Sequence, residues 1–290
     1  MNMPWTLARQ TAREAAKPLE AVELALSDAV GLALASGVRA LASQPTCDTS
    51  AMDGYAVAGS GPWAIVGRVA AGDPVPGVRL AAGEAFGVAT GAPVPDGSDL
   101  VIPVERCSVL GTLVHDSAAG APDPQPGKHI RRRGEDWSAG DELIPAGSLI
   151  SPAVVGLAAG AGHDTVLVHR RPRVAVVVTG DELLHSGPPR PGRVRDAIGP
   201  MLPGLLTGAD LLGTTHLRDD PSALADALTF DQADVLVTCG ATSVGPADHL
   251  RRVLADLQAE ILVSGVACRP GHPMLLAVLP DGRCVVGLPG

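Results

Sequence analysis

The stretch RVAVVVTGDEL, Arg173–Leu183, decides how this chain folds. Five consecutive apolar residues, Val174–Val178, run into a loop of Gly180, Asp181 and Glu182. A short apolar run bounded by a turn is a strand buried on both faces. The pattern returns in ADVLVTCGATSVGPADHLRRVLADL, residues 233–257, as strand, Gly-containing loop and helix. Between them DDPSALADAL, residues 219–228, offers Asp220 as an N-cap and Pro221 in the first helical turn. Strands alternating with helices predict a parallel, doubly wound sheet. Such sheets bind ligands beyond the carboxyl ends of their strands, where both Gly loops fall.

The same texture carries on to MLLAVL and CVVGLPG, two strands joined by an Asp281-Gly282 turn. Upstream it changes. Residues 6–16 predict a short amphipathic helix stopped by Pro18. AVELALSDAVGLALA, residues 21–35, alternates at Val22, Leu24 and Leu26 before Ser27 and Asp28 offer a cap, which predicts strand then helix. From about 55 to 115, short β-branched pieces cut by GP, GDPVPG and PDG predict an all-β insert. SAAGAPDPQPG, residues 117–127, is loop by composition, and residues 145–162 return to a helical pattern. The expected fold is α/β and multidomain. A helical or mixed N-terminal domain (1–45 and 140–171) carries the inserted all-β domain (46–139), and a doubly wound α/β domain (172–290) follows.

At 290 residues and 46% apolar the chain is long enough for more than one core. Its 35 glycines and 26 prolines are spread between apolar runs, which excludes a collagen repeat and wholesale disorder. A formal charge of −9 and 2% aromatics argue against nucleic acid as a partner, since that affinity rests on clustered cations and stacking side chains. Five scattered cysteines without C-x-x-C spacing indicate neither a disulfide framework nor a zinc site. No signal peptide or membrane span is expected, and the chain reads as cytoplasmic.

Three acidic loops carry candidate chemistry: SAMDGYAV (50–57), TGDELL (179–184) and SVGPADH (243–249). The acids of the second follow a buried strand, so they stand at the sheet's ligand edge. Asp248 has two readings, a site carboxylate or a favourable charge in the first turn of a helix. The amides of CGATSVG, residues 239–245, suit a phosphate, although the string matches neither the dinucleotide nor the P-loop pattern. Arg131–Arg133 read either as a surface paired with Glu135 and Asp136 or as an anion contact. His249 and His272 lie near the loops, but no histidine pair has ligand spacing.

DTSAMDGYAV, TGAPVPDGSDLVIPVE (90–105), IRRRGEDWSAGDELIPAG (130–147), TGDEL, SVGPADH and RPGHP…GLPG stand in the order and approximate spacing of the MoeA family. The chain resembles that family, the molybdopterin molybdenumtransferases, over essentially its whole length. The resemblance implies Mg2+-dependent insertion of molybdate into adenylylated molybdopterin, with release of AMP, by a homodimer whose insert faces the partner's cleft. Carried over residue by residue, it implies catalytic Asp53, Glu182, Asp219 and Asp248, with Glu182 and Asp248 holding the metal. It further implies substrate contacts at Thr90, Asp136, Asp196, Gly240, Ser243, Gly245, Arg269 and Pro289. Met52 and Tyr55 are expected to anchor the Asp53 turn by packing.

The chain departs from the family pattern at Ile198, where an amide side chain is usual, and at Ala241, where a second Gly is usual. Gly265 replaces a basic residue and Arg269 a lysine. The end at Gly290 leads us to expect the family's small C-terminal β domain to be missing, leaving the α/β domain incomplete. The alternative expectation is a catalytically impaired module that binds pterin or protein.

Overall fold

A computed structural model describes residues 2–117, 125–242 and 249–290. The chain divides into two compact units, residues 23–168 and residues 1–22 with 169–290. The first helix, α1 (Trp5–Ala15), follows Pro4 and ends where Ala16 turns extended ahead of Pro18. Its buried Ala8 packs with Val263, Val266 and Leu276, so it belongs to the second unit.

The unit 23–168 is built around a six-stranded sheet. Its strands are β1 (Gly54–Val57), β2 (Trp63–Val69), β3 (Glu84–Val88), β4 (Leu100–Pro103), β5 (Cys107–Leu110) and β6 (Leu113–Asp116), ordered β4-β1-β3-β2-β6-β5. Only β2 and β3 run parallel. Side chains alternate across a strand, and β1 buries both faces. Ala56 joins Val69, Phe86, Val88 and Val101 on one side, while Tyr55 and Val57 join Trp63, Leu100 and Ile102 on the other.

One expectation for this unit is corrected. No helix follows Ser27 and Asp28. Instead the chain turns at Ala25–Asp28 and Ala29–Leu32, with Gly31 at φ +83°. Gly31 and Leu32 then pair with Ile150, and Ala33–Leu34 is a short strand. A glycine in the left-handed region breaks the helix before its first turn is complete, and the pairing with Ile150 satisfies the freed backbone groups. The later helical pattern forms α2 (Pro152–Gly160), capped by Ser151 accepting from Val154 N.

The other unit contains β7 (Arg173–Thr179), α3 (Ile198–Leu205), β8 (Asp210–Leu217), α4 (Pro221–Leu228), β9 (Val235–Cys239), α5 (Leu250–Asp256), β10 (Glu260–Val263), β11 (Leu275–Val278) and β12 (Cys284–Leu288). Its sheet has the order β8-β7-β9-β12-β11-β10. The first four of these are parallel, whereas β11 is antiparallel to both neighbours. The sheet is therefore mixed: four parallel strands as the doubly wound pattern predicts, and an antiparallel hairpin where Asp281-Gly282 predicts one. The Asp281-Gly282 turn, with Gly282 at φ +91°, is too short for the crossover a parallel pair needs.

Alternate valines of β7 serve opposite faces. Val174, Val176 and Val178 pack with Leu202 of α3, and Val177 packs with Leu224 of α4 and Leu250 of α5. Val286 of β12 touches both the α1 and the α3 clusters, so those helices cover one face and α4 and α5 the other. Asp220 caps α4 as expected, accepting from Ser222 N with Pro221 in the first turn. Among the described residues no helix is long and apolar enough to cross a membrane.

Candidate functional site

All four parallel strands, β8, β7, β9 and β12, end on the same side. Beyond their carboxyl ends lies a cavity of about 530 Å³, the place where an open α/β sheet presents its connecting loops. Its floor is the crossing of three strand ends: Gly180 after β7, Gly240 after β9 and Pro289 after β12. Gly240 N donates to Leu288 O at 3.0 Å. A Cβ at Gly240 would meet Thr179 O at 2.7 Å, and φ there is +93°, so only glycine lets the three ends converge.

Three of the expected carboxylates line this cavity: Glu182 from the β7 loop, Asp219 from the loop after β8, and Asp196 ahead of α3. Asp219 Oδ2 accepts from Asp181 N at 3.2 Å, which ties the two loops together. Asp196 is the buried member. Its Oδ1 accepts from Ile198 N and Gly199 N at 3.1 and 2.9 Å, and its Oδ2 accepts from His216 Nε2 at 3.0 Å. Burial works to raise the Asp196 carboxyl, yet the His216 bond and the two amides outweigh it and hold the group below the usual carboxylate range. Arg195 also lines the cavity, a cation that sequence reasoning did not single out.

Two of the departures stand in the same wall. Ala241 adopts φ +55°, a conformation an L-residue enters at a cost, and its position lines the cavity. Ile198 opens α3 there in place of a polar side chain. Ser243, Gly245 and Asp248 lie outside the described residues. Arg269 is not in this wall. It borders a separate hollow of about 310 Å³ with Asn2 and His272.

The remaining expected residues belong to the unit 23–168. Asp53 Oδ1 accepts from Thr90 N at 2.8 Å, and Asp53 O accepts from Val104 N at 2.9 Å, so its turn is held to both neighbouring strands. It borders a hollow of about 430 Å³ together with Arg68 and Asp73. Tyr55 is buried beside it, as the packing role requires, while Met52 is half-buried. Asp136 receives both of its contacts from Arg131 Nη2 at 2.6 Å, and Arg132 Nη1 reaches Asp48 Oδ2 at 2.5 Å. Those two arginines are thus paired locally.

Sequence reasoning missed one grouping. His185 and His216 stand 31 positions apart with no ligand spacing, yet they meet beside Asp196. Only the folded sheet brings them together.

Comparison with known proteins adds an independent line. A family model for the MoeA N-terminal region (domain I and II) matches residues 3–162, and one described as a probable molybdopterin binding domain matches residues 175–290. The chain is 33% identical over 277 residues to a molybdopterin molybdenumtransferase of Nostoc sp., covering 90% of this chain and 62% of that protein. It is 35% identical over 289 residues to molybdopterin molybdenumtransferase 2 of Mycobacterium tuberculosis, covering 93% of this chain and 70% of that one. The crystal structure of a molybdopterin biosynthesis MoeA protein from Pyrococcus horikosii aligns with a TM-score of 0.80 at 27% identity, over 100% of this chain and 75% of that one. The chain therefore spans roughly two thirds of its relatives' length. With a family model matched over more than half of its residues and with relatives above 30% identity, this chain belongs to the MoeA family.

Proposed function

We propose that this protein is a molybdopterin molybdenumtransferase, acting in the cytoplasm as a homodimer. In this reading it inserts molybdate into adenylylated molybdopterin and releases AMP with the help of Mg2+. The observation that carries it is the cavity at four parallel strand ends, whose glycine floor and two lining carboxylates, Glu182 and Asp219, suit an anionic ligand that arrives with a metal. The names of the relatives above support the same substrate class.

The residues present fit magnesium. Glu182 and Asp219 offer hard oxygen donors on one cavity, which is the donor type Mg2+ takes together with substrate phosphate and water. Asp248 is retained as a second metal ligand from the sequence. Bound Mg2+ supplies charge neutralisation at a phosphoryl oxygen. The chain's own part is to bind and to orient. The closely packed backbone at Gly240 lets a ligand approach the strand ends, and Arg195 offers a cation to its anionic edge. Asp53 remains a candidate acid in its own unit, positioned by Thr90 N.

A second reading, a pterin-binding module that does not complete metal insertion, is favoured by Ala241 and Ile198, which put a methyl and an isobutyl-sized side chain where the wall of the cavity lies. One experiment separates the two. Purified protein is incubated with adenylylated molybdopterin, molybdate and Mg2+, and AMP is quantified alongside calorimetric binding. AMP formation that disappears in Glu182→Gln and Asp219→Asn supports the transferase. Tight binding without AMP supports the module, and absence of binding overturns both. Sedimentation tests the dimer.

A further inference from the structure

We propose that His185, Asp196 and His216 form a binding site for a divalent transition-metal ion of the zinc class, distinct from the Glu182 and Asp219 carboxylates. All three residues lie in one unit, and the topology explains their meeting. Leu183–Leu184 and Val194–Arg195 form a short parallel pair in which Leu184 is the partner of Arg195. The next residue on each strand is His185 and Asp196, which therefore emerge side by side. His216 comes from β8, paired with Val178 of β7 one position before the strand ends. One ligand atom from each residue lies within 4.8 Å of the others. The two imidazole rings have centroids 4.0 Å apart and are tilted by 55°.

The chemistry of this donor set is specific. Two imidazoles and one carboxylate suit zinc-like ions, whereas Mg2+ prefers oxygen alone. Bonds of ~2.0–2.2 Å to one ion place neighbouring ligand atoms ~3–3.5 Å apart. His216 Nε2 and Asp196 Oδ2 already stand at 3.0 Å. The His185 ligand atom lies within 4.8 Å of the other two, and His185 is exposed, with room for its ring to turn toward a shared ion. Asp196 is the fixed point, because its side chain is 5% exposed and its Oδ1 is held by the amides of Ile198 and Gly199. That leaves Oδ2 for the ion. On binding, the His216 proton that faces Asp196 moves to Nδ1, and Nε2 of the neutral ring takes the ion. Three protein ligands leave further coordination positions open to water, the arrangement of reactive zinc sites.

The site stands independently of the transferase reading, although Asp196 also lines the main cavity. Its test uses metal ions alone. The metal-stripped 290-residue chain is titrated with Co2+, followed by displacement with Zn2+. One Co2+ per chain is expected, with visible ligand-field absorption, no thiolate charge-transfer band, and loss of signal on adding Zn2+. His185→Ala and His216→Ala should each weaken Co2+ binding by more than tenfold, above the lower limit of what an outer partner of a metal ligand contributes. The metal-free thermal unfolding of His185→Ala should be unchanged, because that side chain is exposed. His216→Ala also strips buried Asp196 Oδ2 of its partner and should melt lower, so His185→Ala carries the test. Equal Co2+ affinity in the double histidine variant overturns the proposal. So does a thiolate band, which would assign the ion to cysteine, and so does failure to bind at about 1 mM Co2+.

Discussion

Replacing Gly54 by Ala tests why a glycine must follow Asp53. Gly54 lies on β1 between Val88 of β3 and Pro103 of β4. A Cβ there would stand 2.0 Å from Ile102 O, whereas real Cβ contacts essentially never fall below 3.0 Å. The strands must therefore part by about 1 Å, and because β4 is the edge of the sheet it is the one that moves. An N–H···O bond stretched by that much passes out of the ~2.7–3.2 Å range. Losing two or three such bonds near Gly54, at ~1 kcal/mol each, costs about 3 kcal/mol before any loosening of Leu100 and Ile102. For a unit of this size that corresponds to roughly 6–12 °C in Tm. Gly111→Ala is the control. Its φ is +65° but nothing lies within 4 Å of the added carbon, so only the left-handed backbone cost of ~1–2 kcal/mol applies. Calorimetric melting of both variants, with Trp63 fluorescence reporting on the cluster beside β1, gives the comparison. A Gly54→Ala transition within about 2 °C of the parent would falsify the steric argument. So would a loss smaller than that of Gly111→Ala.

Two further expectations concern titrating groups. Asp234 accepts from Arg170 Nη1 and Nη2 at 2.6 and 2.7 Å and from Arg173 N at 2.7 Å, and the Arg170 bond foremost holds its carboxyl well below the usual range, against burial. A carboxyl depressed in the folded state contributes stability that is present above its unfolded pKa and lost as pH falls. Asp234→Asn should therefore cost about 2 kcal/mol near pH 7, discounted for partial exposure, and the gap to the parent in urea unfolding should narrow from about pH 4 downward. A gap that stays constant down to pH 3 would show that the charge is not responsible. Cys239 and Cys107 have thiols pushed up to about 11, chiefly by burial and then by the charges of Asp196 and Asp116 respectively. At pH 8 about 0.1% of each is thiolate, so iodoacetamide should label both roughly 100-fold more slowly than in the unfolded chain. Mass-spectrometric mapping that finds either among the first sites modified contradicts this.

Local patterns in the sequence determined the elements. Five apolar residues before Thr179-Gly180 could only be a buried strand, Asp220 with Pro221 marked the start of α4, and Asp281-Gly282 marked a hairpin. Each of these signals acts within a few residues, through backbone conformation or a cap, and is therefore written contiguously. Gly180 beside Glu182 was legible as a loop glycine, whereas Gly54 is required by the close approach of Ile102 O from the neighbouring strand, which the sequence does not write.

The tertiary structure decided what depends on distant partners. The same residues 28–35 that carry a helix cap form a turn and strand because Ile150 supplies their hydrogen bonds from more than a hundred positions away. The last hairpin enters the sheet through β12, parallel to β9, and leaves β11 antiparallel to both neighbours; that placement and the strand order are set by packing of both faces against helices. His185, Asp196 and His216 converge for a related reason: register between two short strands and the edge strand β8 fixes their approach, and no spacing along the chain encodes it. Contiguous residues dictate conformation, but which side chains share a site is a property of the sheet.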